Sequence, residues 1–409
     1  MTRLLIFAQV PPPVHGQNVM TAHVIDGLRA AGQTELTPPH DIAAQAGAAP
    51  VSFYHINPQL SQGLADIGRW SMRKISAVFG HVWRALAARF RYDLSVLYFV
   101  PGQPKREAIY RDAVVLLLCR PFFSKLVLHW HNIGQPEFIE KLSAPERWLA
   151  RGCYGRAALS IVLSNYSRNE AAYFQSRRVE VVPNGIPDPC PHFDGELWPE
   201  RQRRASQRSA VWRNPPPAPA VYRVLFVAGR LREKGLFDAM SAVIHANRRL
   251  AAEKRPLRLA LTTAGPFEDD NEKANYEAMA LELNETNLRG LEPLAVYAGW
   301  ADEAKKRELY RQCDCLCFPT TYAGESFGLV LIEAMAHGCA IVTTRWQAVP
   351  EVLPGGYPNV VDPHDINQMA DALLRCAAAA ADRSLRDYFV ARFKNERFVR
   401  DMVRVLESV

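Results

Sequence analysis

The sequence predicts an α/β fold of two domains, each a parallel sheet covered by helices, facing across a cleft. Three observations carry this. Short apolar runs rich in Val, Ile, Leu and Phe recur along the chain, separated by helix-length amphipathic segments. The alternation breaks once, from Pro187 to about Ala220, in a stretch rich in proline and arginine, and then starts afresh. A chain of 409 residues is also long for one such core.

In the first half, "LLIFAQV" reads as a strand leading into the loop "PPPVHGQN" and the helix "VMTAHVIDGLRAAG". "LSVLYFV", "KLVLHWH", "ALSIVLS" and "VEVVPNGI" read as further strands, with a helix beginning near Tyr166. "AVVLLLC" has the length of a strand or of a core helix segment. After the break, "YRVLFVAGR", "LRLALTTAG", "LAVYAGW", "CDCLCFPT" and "CAIVTT" are strand-like, with "GLFDAMSAVIHANRRLA" and "AKKRELYRQ" as helices. The tail "LRDYFVARFKNERFVRDMVRVLESV" reads as amphipathic helix able to pack back across the cleft. The expected boundaries are 1–186 for the first domain, 187–220 for a linker with an inserted loop, 221–390 for the second domain and 391–409 for the returning helix.

The net charge of +7 points to anionic partners such as phosphates, nucleic acid or an acidic membrane surface. The eight cysteines contain no CxxC pair, and Cys313, Cys315 and Cys317 alternate along one strand face as core thiols would. Reduced thiols imply a cytoplasmic setting. "MTRLLIFAQVPPP" is too short in its apolar run for a signal peptide, and no run approaches the ~18 residues needed to span a bilayer.

The segment "GESFGLVLIEAMAHG", Gly324 to Gly338, carries the chemistry. It lies between two strand-like runs, so it reads as turn then helix, opening at Ser326 or Phe327 and ended by Gly338. Glu325 falls in the turn and Glu333 about two turns into an otherwise apolar helix. The pair suits a ligand with polar groups at both ends and an anion between. "GRLREKG" adds Arg230 and Lys234 in a loop after a strand, a fork and a point charge for a diphosphate. The amide groups at the helix opening complete an anion site, and Gly328 keeps the approach open. No Walker loop, GxGxxG or DxD occurs, so no metal or cofactor is expected. "GESFG" also matches a nucleophile elbow, with Ser326 as nucleophile. The last histidine, His364, precedes the available acid Asp365, which breaks the usual order. Ser326 reads instead as a helix cap or phosphate contact.

"GRLREKG" with "PTTYAGESFGLVLIEAMAHGCAIVTT" resembles the donor domain of retaining GT-B glycosyltransferases with a Glu–seven residues–Glu motif (glycosyltransferase family 4, group 1 type). "PPPVHG", "LHWHN", "VPNGI" and the tail extend the likeness over nearly the whole chain. The resemblance implies that Glu325 faces the donor sugar, that Glu333 takes the ribose hydroxyls, and that amides near Phe327, Gly328 and Leu329 hold the diphosphate with Arg230 and Lys234. It also brings His131 to the sugar, in competition with His129, and has Gly16 let the first loop approach the phosphate. His15 has no assigned role, and His337 reads as a last-turn cation. The glycine pair usual before Glu351 is absent from "TRWQAVPEV" and the loop "PTTYAG" is long, so the sugar stays unnamed. The activity implied is retaining transfer from a nucleotide-diphosphate sugar to a glycan or lipid-linked acceptor in bacterial surface polysaccharide synthesis. A nucleotide-sugar epimerase of the same plan and a non-catalytic membrane-surface protein are the alternatives.

Residues Arg73 to Tyr92 bear on the acceptor. Ile75, Val78, Phe79, Val82, Trp83, Leu86 and Phe90 stand at helical spacing among Arg73, Lys74, Arg84, Arg89 and Arg91. Such a helix can lie on an anionic membrane or can face a core with a solvated basic side.

Overall fold

The computed structural model describes residues 2–12, 16–36, 49–59, 72–213, 220–229, 231–288 and 291–409. The chain divides into two compact units, 1–187 with 393–409, and 188–392. Among the described residues no helix is long and apolar enough to cross a membrane.

The first unit runs β1 (Thr2–Phe7), α1 (Gly16–Ala30), β2 (Thr34–Glu35), β3 (Val51–Ile56), α2 (Met72–Arg91), β4 (Val96–Phe99), α3 (Arg106–Cys119), β5 (Lys125–His129), α4 (Gln135–Glu140), α5 (Ala144–Tyr154), β6 (Leu159–Val162), α6 (Arg168–Tyr173) and β7 (Val179–Val181). Its parallel sheet has the order β2-β3-β1-β4-β5-β6-β7. Alternate residues of the central strands, Leu5 and Phe7, Leu97 and Phe99, Leu126 and Leu128, enter one core with Trp130, as the two-residue period of a strand requires. "AVVLLLC" is helix, the second half of α3.

The second unit runs α7 (Leu197–Arg213), β8 (Ala220–Val227), α8 (Leu236–Ala252), β9 (Leu257–Ala264), α9 (Asp270–Glu285), β10 (Ala295–Gly299), α10 (Glu303–Gln312), β11 (Cys315–Phe318), α11 (Leu329–Ala336), β12 (Ala340–Thr344), α12 (Val349–Val352), β13 (Val360–Val361), α13 (Ile366–Ala378) and α14 (Ser384–Arg392). Its sheet has the order β10-β9-β8-β11-β12-β13, all parallel. Chain direction across this sheet reverses between β8 and β11. The loops leaving these two strands therefore diverge to opposite faces and leave a crevice at their carboxyl ends. All eight cysteines are buried and unbridged.

Two segments differ from expectation. Within 187–220, read as linker and surface loop, the structure has the helix α7. Its inward side interleaves arginines with the buried apolar residues Leu197, Ala205 and Val211. Buried Arg201 donates to the carbonyls of His337 (2.7 Å), Cys313 (2.9 Å) and Tyr310 (3.1 Å). Arg204 and Arg208 reach the Asp314 carboxylate at 2.9 and 3.3 Å. Arginines at buried positions interrupt the hydrophobic period of such a helix.

The tail, read as one helix, is two. α14 belongs to the second unit, and α15 (Asn395–Glu407) returns to the first. There Ile186 and Asn395 exchange backbone bonds with Phe393 and Ile186, each 2.9 Å long. α15 packs on α1 so closely that a Cβ at Gly27 would sit 2.2 Å from Val399.

Candidate active site

In the second unit the site is built where β8 and β11 diverge. The loop after β8 carries Lys234 and ends at Gly235, whose φ of 91° starts α8. A Cβ on Gly235 would lie 2.3 Å from the Pro319 carbonyl oxygen, so glycine lets this loop rest on the turn leaving β11. From the other side Glu272, fully buried on α9, accepts from the backbone N–H of Arg232 (2.8 Å) and of Glu268 (2.6 Å). The turn after β11 is pinned by β12. Thr343 donates to the Phe318 carbonyl (2.7 Å), and Trp346 Nε1 donates to that of Tyr322 (2.9 Å).

These supports bring Lys234 onto Glu325. Their side chains form an ion pair, and Lys234 Nζ also stands 4.3 Å from the Tyr322 ring centroid. Both charges are largely shielded from water, so each depends on the other. Arg230 lies outside the described residues.

α11 begins at Leu329, not at Ser326 or Phe327. Gly328, with φ of 78°, is its N-cap, a left-handed conformation that a side chain would strain. Its end is a Schellman turn: Gly338 N–H donates to Met335 (2.9 Å) and Cys339 N–H to Ala334 (3.0 Å). The first turn of α11 contains no acidic residue to offset the positive end of its dipole. Ser326 precedes the cap and is neither the N-cap nor placed as an elbow nucleophile, which needs the helix to start at the serine. Phe327 is buried.

The later start puts Glu333 one turn into α11 instead of two. Leu331, Ile332, Ala334, Met335 and Ala336 are buried, while Leu329, Val330 and Glu333 are half-buried on the remaining face. Glu333 Oε1 receives Lys306 Nζ from α10 (2.7 Å), and Oε2 receives the Tyr310 hydroxyl (3.0 Å). Burial opposes charge on Lys306, but Glu333 and Glu303 outweigh it and its pKa is raised. An ionised carboxylate has about four acceptor positions, so Glu333 keeps room for two more donors. His337 is no last-turn cation: burial pushes its pKa down to about 4, and its Nδ1 lies 2.8 Å from the Glu333 carbonyl oxygen.

The first unit has its own polar cluster at the carboxyl end of its sheet. β5 ends at His129, and His131 follows just past it. The two rings are neighbours, with centroids 4.0 Å apart. His129 is fully buried, lies 2.5 Å from the Tyr98 hydroxyl through Nδ1, and is held neutral by that burial. His131 Nε2 lies 3.3 Å from the same His129 Nδ1. Gly16 opens α1, and Gln17 beside it accepts from the Asn132 side chain at 3.0 Å, bringing that helix start to the end of β5. His15 lies outside the described residues.

Sequence reasoning missed Lys306, Tyr310, Tyr322 and Tyr98. All four sit in ordinary helix, strand or loop positions, and only tertiary packing brings them to the named residues.

Residues 222–379 match the family model described as Glycosyl transferases group 1. A phosphatidyl-myo-inositol mannosyltransferase of Mycobacterium tuberculosis (strain CDC 1551 / Oshkosh) is 39% identical over 100 residues, 23% of this chain and 25% of that one. The chain thus spans about a quarter of the length of the curated relatives it matches in this way. Among solved structures, sucrose-phosphate synthase from Thermosynechococcus elongatus superposes with a TM-score of 0.64 at 18% identity, covering 100% of this chain and 99% of that one. Anabaena Alr3699/HepE in complex with UDP gives 0.61 at 18% identity, covering 100% of both chains. The chain has the GT-B fold of two Rossmann-like domains, and residues 222–379 of its second domain are similar to the glycosyl transferases group 1 family.

Proposed function

We propose that the protein is a retaining, metal-independent hexosyltransferase that uses a nucleotide-diphosphate sugar. One observation carries the reading: the Lys234–Glu325 pair and the acid-free start of α11 lie together at the β8/β11 switch point of a domain similar to the group 1 family. Lys234, with Arg230, neutralises the diphosphate, and the amides following Gly328 hold its oxygens. The ribose hydroxyls donate to the two free acceptor positions of Glu333. Glu325 takes the sugar hydroxyls, and its negative charge sets Lys234 at the leaving group. We assign His131 and Gly16 to the donor as well. The sugar–phosphate bond breaks with charge building on the diphosphate, which these cations and dipoles stabilise. The acceptor oxygen attacks on the same face and passes its proton to the departing phosphate oxygen.

The acceptor is a glycan or a lipid-linked oligosaccharide, and the setting is bacterial surface polysaccharide synthesis on the cytoplasmic side of the cell membrane. The relatedness to a phosphatidyl-myo-inositol mannosyltransferase supports a lipid-linked acceptor. The test is a thermal-shift panel of nucleotide sugars, followed by product analysis with EDTA present. A shift with one nucleotide class, and a product with the donor's anomeric configuration, are expected. Free altered nucleotide sugar without an acceptor identifies an epimerase, and no shift with any nucleotide identifies a scaffold.

A further inference from the structure

Helix α2 has two apolar faces, and the protein covers only one. Val78, Val82, Ala85 and Ala88 are buried in the first domain's core. Phe79, Trp83 and Phe90, spaced to share another face, are 51%, 74% and 67% exposed. A second element extends this face. Phe122, 45% exposed after α3, meets Phe90 edge-on with ring centroids 5.9 Å apart. Arg89 Nε donates to the Phe122 carbonyl at 2.7 Å and ties the two elements together. Single exposed rings are ordinary, but contiguous ones mark a binding surface.

Charge selects the occupant. Residues 72–91 hold four arginines, one lysine and no acid. Two copies of the chain meeting face to face would set these cations against one another. An anionic surface would pair with them. The same charges, and the commitment of the other face to the core, prevent the helix from spanning a bilayer.

We propose that Phe79, Trp83, Phe90 and Phe122 seat the first domain on an anionic lipid bilayer, with Arg84 and Arg91 on the headgroups. α2 then lies in the plane of the interface along about 30 Å. This rests on the reading of a lipid-linked acceptor and names the surface that meets its membrane. The side chains of Arg73, Lys74 and Ile75 lie outside the described residues and are not needed for it.

The experiment is co-sedimentation of the full chain with phosphatidylserine–phosphatidylcholine vesicles and with phosphatidylcholine alone. Three proteins are compared: wild type, Trp83→Ser/Phe90→Ser/Phe122→Ser and Arg84→Glu/Arg91→Glu. Wild type should pellet with anionic vesicles only, and less as salt rises. Each variant should lower the partition coefficient about tenfold or more. All of these side chains are at the surface, and circular dichroism with nucleotide-diphosphate binding checks that each variant is folded. Folded variants that pellet like wild type overturn the proposal. So does a wild-type dimer in sedimentation velocity that the ring variant abolishes, which makes the patch an interface between copies. Vesicle binding needs no donor, so a failed donor reading leaves this outcome legible.

Discussion

Replacing Glu333 by Gln tests the donor site with little disturbance of the fold. The carboxylate holds Lys306 at 2.7 Å and the Tyr310 hydroxyl at 3.0 Å. Gln keeps the shape and one carbonyl acceptor. Lys306 keeps its other partner, Glu303, at 2.7 Å, so no charge is left unpaired. The stability cost is then the difference between charge-assisted and neutral bonds, about 1 kcal/mol. The binding cost is larger. Two ribose hydroxyls lose an ionised acceptor, and the amide nitrogen cannot accept from either, which sums to about 2–3 kcal/mol, or roughly 30- to 150-fold in Kd. Isothermal titration with the nucleoside diphosphate measures this directly, and thermal unfolding measures the fold. Glu325→Gln is the control. It should leave nucleoside diphosphate affinity within a few-fold and depress transfer, because Glu325 is assigned to the sugar. Equal loss of nucleotide affinity in both variants refutes the division of labour between the two carboxylates.

Three further outcomes follow from the geometry. Lys234→Ala removes one cation from the diphosphate and leaves Glu325 shielded without its partner; it should cut kcat/KM by about tenfold to a few hundredfold, read in steady-state assays, with no rescue by added Mg²⁺. Arg201→Leu strands the buried carbonyls of His337 and Cys313, leaves that of Tyr310 only thiol donors, and should cost about 3 kcal/mol in chemical denaturation, with the largest loss in the second domain. The His337 pKa is lowered from 6.5 to about 4 by burial, so below pH ~6.5 the unfolded chain takes up a proton that the folded one refuses. Stability is therefore lost as pH falls from ~6.5 toward ~4, by on the order of 3 kcal/mol, and His337→Phe should flatten that limb in pH-dependent denaturation curves.

The sequence by itself determined the plan of two parallel sheets. Apolar runs at strand length and helices between them state it locally, through the periods of two and 3.6 residues. The residues proposed for the anion site were legible for the same reason. Lys234, Gly328 and Glu325 sit where a strand ends and a helix starts, and those ends carry their own chemistry. The tertiary structure decided what local pattern cannot express. α7 was hidden because its anchors are arginines reaching carbonyls distant in sequence. The start of α11 moved to Leu329 because Gly328 takes a left-handed φ that the letters only permit. Lys306 and Tyr310 joined Glu333 through the packing of α10 on α11. Tyr98 closed on His129 beside His131. On α2 the spacing showed one broad apolar stripe. Packing divided it: Val78 and Val82 went to the core, while Phe79, Trp83 and Phe90 stayed in water. A periodicity records which residues avoid water, and only the placement of neighbours shows which of them the fold has already covered.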